Sequence, residues 1–214
     1  MMILGLTGPT GAGKSEAARA FAAKGFAVVD ADRVAHQMMS TRSICTTRIA
    51  KEFGKNVLNS DGSLNRTALA SIVFSDPQKL KTLNQITHPL IVTQMQKELN
   101  EAKAEGHVGA IVDAPMLFES GADQLCGRVV AVLADERVRL PRIMTRDGLD
   151  RKRALQRMHA QPKESFYLSH ADEILRNNGN TASLAADAAN LADRLLNYGR
   201  HTEEQRTCAD AEKK

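Results

Sequence analysis

The stretch GPTGAGKS, residues 8–15, holds the side chains whose types and spacing point most directly to chemistry. Gly8, Gly13, Lys14 and Ser15 satisfy the pattern GxxxxGK[ST] of a phosphate-binding loop. Glycines let successive backbone N–H groups converge on one anion, and the start of a following helix adds unpaired donors and a favourable dipole. Lys14 is then expected to reach the β- and γ-phosphates of a nucleotide, and the Ser15 hydroxyl to hold Mg²⁺.

The elements around this loop are those that a phosphate-binding loop needs. Residues 2–7, MILGLT, predict a short buried strand, and SEAARAFAAKG predicts a helix that stops at Gly25. FAVVDAD, residues 26–32, predicts a second strand, whose neighbour in such sheets lies close to the first. A strand, a helix and a strand in about 30 residues indicate a crossover unit of a parallel sheet. These flanks disfavour the alternative, a glycine-rich turn with an incidental lysine.

Carboxylates follow two of the predicted strands. Asp30 and Asp32 end the second strand, so they are expected to face the γ-phosphate at the carboxyl edge of the sheet. There a carboxylate can accept a proton from an attacking hydroxyl or hold a metal through water. Capping of a helix that begins near Arg33 explains the pair equally well. Asp113, at the end of GAIVD, resembles a Walker B carboxylate, a weaker signal because many buried strands end in Asp.

The rest of the chain alternates between helical and strand-like segments. From residue 33 to residue 106 the sequence is polar with a helical period, which predicts a helical insertion. Further strands are predicted at residues 108–114, 128–134 and 172–177, and an amphipathic helix at residues 181–197 that ends near Gly199. We therefore predict an α/β fold with a five-stranded parallel sheet flanked by helices. Its core comprises residues 1–32 and 107–199, its insertion residues 33–106, and its disordered tail residues 200–214.

A basic stretch lies between the last two predicted strands. Residues 137–157 contain eight lysines and arginines against two aspartates. Arg142 and Arg146 are four positions apart, so on a helix their like charges repel unless an anion joins them. Phosphate is such an anion, and planar guanidinium groups suit it. We predict a helical lid, about residues 139–162, that closes on nucleotide. A solvated basic face is the ordinary alternative, and few aromatic residues are near enough to favour a nucleic-acid surface.

The composition limits the class of protein. The chain has 214 residues, 43% of them hydrophobic, and a net charge of +4, which permits a nucleic-acid partner without requiring one. Three widely spaced cysteines suggest neither a disulfide framework nor a zinc site, and they fit a reducing compartment. The apolar runs are too short for a signal peptide or a membrane span. A cytoplasmic location without membrane contact is therefore expected.

Several segments together closely resemble the dephospho-coenzyme A (dephospho-CoA) kinase family over roughly residues 1–195. In chain order they are GPTGAGKS, VVDADRVAHQ, DGSLNRTALASIVFSDPQKLKTLNQITHPLI, VDAPMLFESG, RIMTRD and RMHAQ. The resemblance implies a nucleotide-kinase core, a helical substrate domain and a mobile lid. It also implies transfer of the γ-phosphate of ATP to the ribose 3′-hydroxyl of dephospho-CoA, the last step of coenzyme A synthesis.

The resemblance also implies site residues, position by position. Asp32 matches the general base, and the candidate catalytic residues are Asp32, Lys14 and Arg142. The expected nucleotide-binding residues are Gly8, Gly11, Ala12, Gly13, Lys14, Ser15, Glu16, Arg142, Arg146, Asn178 and Gly179. The expected substrate-binding residues are Asp32, His36, Arg66 and His88. Magnesium is expected on the Ser15 hydroxyl, with Asp32 or Asp113 contributing through water. Before Pro89, His88 is as easily a helix-boundary residue as a ligand contact.

Three positions depart from the family pattern. Glu16 stands where the family usually has Thr, so a hydroxyl that can touch the α-phosphate is lost. His36 stands where arginine is common, and Arg176 precedes NNG in place of an acidic or amide residue. We expect the Glu16 departure to affect the affinity for ATP and the His36 departure to affect one contact with the substrate. The Arg176 departure concerns the adenine end of the site.

Other functions are compatible with parts of this pattern. A nucleoside or nucleotide kinase on the same core is the nearest alternative. A GTPase switch is disfavoured because no NKxD motif is present, and a nucleic-acid binder would bind in a strongly salt-dependent way without needing Lys14. We expect ATP and dephospho-CoA as small-molecule partners, no nucleic acid, and a monomer or weak homo-oligomer.

Overall fold

The computed structural model describes the backbone of residues 1–211 and the side chains of residues 1–197. Its strands are β1 (Met2–Thr7), β2 (Phe26–Asp30), β3 (Gly109–Asp113), β4 (Arg128–Leu133) and β5 (Glu173–Arg176). Within the described residues these five strands form one sheet in the order β2-β3-β1-β4-β5, and every neighbouring pair is parallel. The predicted α/β fold with a five-stranded parallel sheet is confirmed.

Helices connect the strands and cover the sheet. Their bounds are α1 (Lys14–Ala23), α2 (Ala31–Ser40), α3 (Ile44–Phe53), α4 (Arg66–Val73), α5 (Pro77–Ala104), α6 (Glu136–Asp147), α7 (Arg151–His159), α8 (Glu164–His170) and α9 (Thr181–Ala211). Helix α9 runs past Gly199, where the sequence predicts its end, so that boundary is wrong. The predicted disordered tail thus begins in a segment described as helix, and residues 212–214 lie outside the described part.

The second strand is shorter than predicted. β2 ends at Asp30 and α2 begins at Ala31, so Asp32 lies in the first turn of a helix and not in a strand. β3 lies between β1 and β2, with Asp113 opposite both Leu6 and Asp30. Asp113 therefore ends the strand that directly neighbours β1. The sequence pattern misplaces the end of β2 because an aspartate suits a helix cap as well as a strand end.

Each face of the sheet has its own hydrophobic cluster. On one face, side chains of β1 and β4 pack against α1 and α9, with Leu6, Phe21 and Leu184 fully or almost fully buried. On the other, Val112 of β3 packs with Leu99 of α5 in a second cluster. Full burial of a side chain of this size contributes about 1.5–3 kcal/mol. These two clusters hold the carboxyl ends of the strands in register.

The segment between β2 and β3 is helical, apart from an isolated bridge between Leu58 and Leu64. A third cluster fills it, and the buried members of that cluster are Cys45, Ile49, Val57, Leu64, Leu69 and Val73. Leu83 and Ile86, from the first half of α5, pack against this cluster, whereas Met95 and Leu99, from its second half, pack against the sheet. Helix α5 thus fixes the segment to the sheet. That residues 33–106 act as a substrate domain stays a prediction.

Helices α6 and α7 form a hairpin over the loop that follows β1. Leu140, Ile143, Ala154 and Met158 form its own small core, and Gly148 (φ 63°) ends α6 in a left-handed conformation. This hairpin covers most of the predicted lid, residues 139–162. Among the described residues, no helix combines the length and the apolar character that a membrane crossing requires. The cytoplasmic location and the oligomeric state stay predictions.

Candidate active site

The loop between β1 and α1 has a backbone that demands glycine at two positions. Gly8 and Gly13 have φ values of 143° and 103°, which side chains rarely adopt. A Cβ on Gly8 would lie 2.2 Å from the carbonyl oxygen of Val132, and one on Gly13 would lie 2.3 Å from the side-chain nitrogen of Asn177. The two glycines are thus needed both for the turn of the chain and for its close approach to neighbouring elements.

A cavity of about 500 Å³ opens above this loop, and we call it the phosphate cavity. The predicted site residues on its wall are Gly8, Gly11, Gly13, Lys14, Ser15, Glu16, Asp32, Arg142 and Arg146. Ala12 is not on the wall, since its side chain is fully buried in the core beneath the loop. The structure thus brings together the loop, one aspartate and two arginines from three separate parts of the chain.

Lys14 and Asp113 form an ion pair beneath the cavity. The Asp113 side chain is 10% exposed and that of Lys14 17%. Burial raises the pKa of Asp113, Lys14 lowers it, and the nearby Asp30 and Asp32 carboxylates raise it further. The ammonium therefore stabilises the ionised form of a carboxylate that its surroundings otherwise disfavour. Asp113 therefore acts as the partner of the loop lysine, although its sequence signal as a Walker B carboxylate was weak.

Asp30 and Asp32 do different things. The Asp30 carboxylate caps α2 by accepting the N–H of Arg33 at 3.0 Å, whereas Asp32 lies on the wall of the phosphate cavity. The capping explanation is confirmed for Asp30, whereas contact of Asp32 with a phosphate or a reacting hydroxyl stays a prediction. Since Asp32 lies on the cavity wall and Asp30 does not, Asp32 is the better candidate for contact with a reacting hydroxyl.

Arg142 contacts both the loop and the segment after β5. Its Nη1 donates to the Asn177 carbonyl at 3.3 Å and to the Gly11 carbonyl at 3.4 Å, and its Nη2 donates to the Gly179 carbonyl at 3.1 Å. Asn177 is itself buried and donates from its side chain to the Ala12 carbonyl at 2.8 Å. These bonds tie the lid, the loop and the end of β5 into one unit.

Arg146 lies one turn further along α6. Its Nη2 donates to the Thr10 hydroxyl at 3.1 Å, and the side chain also pairs with Asp147. Arg157 of α7 pairs with the same Asp147 carboxylate at 2.8 Å. Hydrogen bonding from Arg146 holds the pKa of Asp147 below its ordinary value. One aspartate thus reduces the repulsion among basic side chains that the sequence assigned to a bound anion alone.

Asn178 is not on the wall of the phosphate cavity. Its side chain accepts the N–H of Asp135 at 2.8 Å and donates to the Asp135 carboxylate at 3.0 Å. Gly179 offers its carbonyl to Arg142, as described above. Both residues hold neighbouring elements together here, and their contact with a nucleotide stays a prediction.

The expected substrate residues lie outside the phosphate cavity, apart from Asp32. His36 and Arg66 contact each other, with 2.9 Å between Nδ1 and Nη2. His88 lines a second cavity of about 700 Å³ between α5 and residues 118–121, and we call it the second cavity. Burial lowers the pKa of His88, and Glu119 opposes that shift. Helix α5 continues through Pro89, so the interpretation of His88 as a helix-boundary residue is wrong.

The donors available for magnesium are oxygens. Ser15 and Asp32 both line the phosphate cavity. Asp113 lies near enough to Asp32 that the charge of Asp32 raises its pKa. Within the described residues, no three His, Cys, Asp or Glu side chains gather into a group able to hold a metal ion. Mg²⁺ needs less than that, because it is usually bound through one or two protein ligands together with substrate phosphates and water. The donor set therefore fits Mg²⁺.

Most of the chain matches a known family. The model of the dephospho-CoA kinase family matches residues 2–183. The chain belongs to this family. The dephospho-CoA kinase of Syntrophotalea carbinolica is 40% identical over 196 residues, which cover 92% of this chain and 93% of that protein.

Solved structures agree with the family. The crystal structure of TT1252 from Thermus thermophilus is 33% identical and superimposes with a TM-score of 0.74, over 90% of this chain and 97% of that one. The dephospho-CoA kinase from Campylobacter jejuni is 26% identical with a TM-score of 0.69, over 92% of this chain and 98% of that one. The chain is thus a kinase, a transferase of phosphate to an alcohol group, and the resemblance seen in its sequence is confirmed.

Eight residues of the wall were not among the predicted site residues: Pro9, Thr10, Arg19, Pro115, Arg157, Gln161, Asn177 and Thr181. Gln161 accepts the N–H of Thr10 at 2.8 Å, so the end of the lid hairpin closes directly on the loop. A signal for two of them was present, because Arg157 and Gln161 are four positions apart in RMHAQ and follow the predicted lid arginines. Nothing in the sequence marks Arg19 in the same way.

Proposed function

We propose that this chain performs the reaction of its family. It transfers the γ-phosphate of ATP to the ribose 3′-hydroxyl of dephospho-CoA and so makes coenzyme A, the last step of coenzyme A synthesis. The observation that carries the proposal is the phosphate cavity. In it the glycine loop, Lys14, Ser15, Asp32 and the lid arginines line one cavity in a member of the dephospho-CoA kinase family.

The loop and the lid hold the donor. Loop N–H groups and the dipole of α1 bind the phosphates, and Lys14 neutralises the β- and γ-phosphates. Arg142 and Arg146 of α6 also lie on the cavity wall and stabilise negative charge on the transferring group. Mg²⁺, held through Ser15 when bound, supplies further neutralisation of the phosphate oxygens. Catalysis by these residues is mainly positioning and electrostatics.

Asp32 acts on the acceptor. Its carboxylate lies on the cavity wall in the first turn of α2, and it takes the proton of the attacking 3′-hydroxyl. Asp113, paired with Lys14, keeps the ammonium beside the loop while the site is open. An incoming polyphosphate competes for that ammonium with a carboxylate whose pKa burial already raises.

The remainder of dephospho-CoA needs a path out of the phosphate cavity. Pro115 lines the phosphate cavity, and Phe118, three residues along the same segment, lines the second cavity. The wall of the second cavity is mainly apolar and includes Leu80 and Pro89 of α5. These features support a course in which the long arm of the acceptor follows this segment and lies against His88 and Phe118.

A coupled assay of ADP release tests the proposal. Dephospho-CoA is compared with a panel of nucleosides and nucleotides as acceptors, and the product is identified by mass spectrometry. We expect turnover with dephospho-CoA to exceed turnover with every nucleoside, and to require Lys14, since Lys14→Ala removes the charge on the β- and γ-phosphates. An Arg48→Gln variant, changed at an exposed arginine outside both cavities, serves as the control. Absence of stimulation by dephospho-CoA, with strong stimulation by a nucleoside, would make the chain a nucleoside kinase instead.

A further inference from the structure

The phosphate cavity contains one acidic residue on its donor side. Glu16 follows Ser15 in the first turn of α1 and lies on the cavity wall together with Lys14, Arg142 and Arg146. A carboxylate there repels a bound polyphosphate, whereas the threonine common in the family offers a hydroxyl. The N–H of Glu16 does not replace that hydroxyl as a free donor, because it already donates to the Gly13 carbonyl at 3.0 Å.

Arg19 accompanies Glu16 on the same wall. Its Nη1 lies 2.5 Å from the Glu16 carboxylate, three positions away on the helix, and both side chains line the cavity. The Arg19 side chain is 72% exposed and that of Glu16 28% exposed. An exposed pair of this spacing stabilises a helix only slightly, so substitution of Arg19 is expected to leave the fold intact.

The place of Arg19 along α1 extends the basic wall away from the loop. Lys14 and Ser15 begin the helix, and Arg19 lies three residues, about 4.5 Å along the helix axis, beyond Glu16. A guanidinium carries five N–H donors in a planar fork, so Arg19 can keep one on Glu16 and direct others to a phosphate. Its exposure leaves that fork accessible from the cavity.

We propose that Arg19 is a further nucleotide-binding residue, which binds the α-phosphate of ATP beside Glu16. The contact supplies the donor that the threonine hydroxyl would otherwise give at this end of the polyphosphate. The inference rests on the proposed function in one respect only, namely that the phosphate cavity binds ATP.

Calorimetric titrations without acceptor test it, with MgATP, ADP, AMP and adenosine as ligands. We expect Arg19→Gln to raise the dissociation constants of MgATP, ADP and AMP about fivefold to tenfold, because a charge-assisted hydrogen bond is lost. Adenosine, which has no phosphate, binds wild type and variant alike. Arg48→Gln, an exposed arginine on α3, is the matched control, and thermal melts establish that each variant is folded.

A second background separates direct contact from charge neutralisation. In a Glu16→Gln chain, Arg19→Gln still weakens MgATP binding about fivefold if the guanidinium contacts the phosphate. If Arg19 only neutralises Glu16, the double variant binds MgATP as tightly as Glu16→Gln does, and the proposal fails. It also fails if Arg19→Gln alone leaves the affinity for AMP unchanged.

The outcome for the proposed function is read separately. Wild-type turnover of dephospho-CoA with normal MgATP binding by Arg19→Gln overturns this inference alone. Weakened phosphate binding by Arg19→Gln, without any wild-type turnover of dephospho-CoA, overturns the proposed acceptor and leaves Arg19 as a nucleotide-binding residue.

Discussion

The phosphate cavity and the second cavity are built in different ways. The wall of the phosphate cavity includes a glycine loop whose backbone is fixed by positive φ angles, by close approach to Val132 and Asn177, and by the bonds of Arg142. The second cavity is a space between side chains of α5 and residues 118–121. The comparison teaches that backbone conformation fixes the donor site, whereas side chains shape the space proposed for the acceptor.

The largest expected effect comes from a substitution that removes the proposed base and leaves the donor site unchanged. We expect Asp32→Asn to lower kcat by about 10²–10⁴-fold, because an amide cannot take the hydroxyl proton. The dissociation constant for MgATP is expected to stay within about twofold, since backbone and basic side chains hold the donor. Steady-state kinetics and calorimetry measure the two quantities. Asp30→Asn is the control, because asparagine caps a helix as well as aspartate does. Near-normal turnover of Asp32→Asn would remove it from the role of base.

Filling the second cavity is expected to have a smaller effect, and one on the KM for the acceptor instead of on kcat. Gln85 is an exposed residue of α5 on the cavity wall, and Gln85→Trp places a bulky ring where the arm of dephospho-CoA is proposed to lie. The KM for dephospho-CoA is expected to rise about tenfold, with the KM for MgATP unchanged. Gln78→Trp, on an exposed position of the same helix outside the cavity, is the control. An unchanged KM for dephospho-CoA would place the arm elsewhere.

The smallest expected effect is on stability at acid pH. Because burial lowers the pKa of His88 from its ordinary 6.5, the unfolded chain binds a proton more readily than the folded chain does. The contribution of His88 to stability is therefore complete above the ordinary pKa and decreases as pH falls below it. Denaturant melts between about pH 7.5 and about pH 5.5 are expected to lose less stability in His88→Gln than in wild type. An equal loss in both proteins would mean that the His88 environment does not oppose its protonation.

The donor half of the site was largely predictable from the sequence. The loop, its flanking elements and the two lid arginines are encoded in short contiguous segments, and each motif has few structural solutions. Asp32 was predicted as a site residue, but its element was wrong, because DAD fits a strand end and a helix start equally well. The order of the strands was not predicted, since pairing depends on contacts between distant segments.

The acceptor half was predictable only in outline. The helical nature of residues 33–106 follows from periodicity, yet the second cavity depends on how Phe118 meets α5, which no local pattern specifies. Asn178 shows the same limit, because NNG places it near the loop while its hydrogen bonds go to Asp135. Arg19 was missed because a lone exposed arginine on a helix has no motif. Its role emerges only from the cavity that it shares with Glu16.

Helix α5 has a consequence for how the molecule unfolds. Its first half supplies Leu83 and Ile86 to the cluster between β2 and β3, and its second half supplies Met95 and Leu99 to the sheet. Melting of either cluster frays a helix on which the other depends, so the two are expected to lose structure as one cooperative unit. The unit that melts together therefore does not end at the boundary of the inserted segment. A fragment of residues 33–106 would contain all of α5, and the half of that helix that packs on the sheet would be exposed to water.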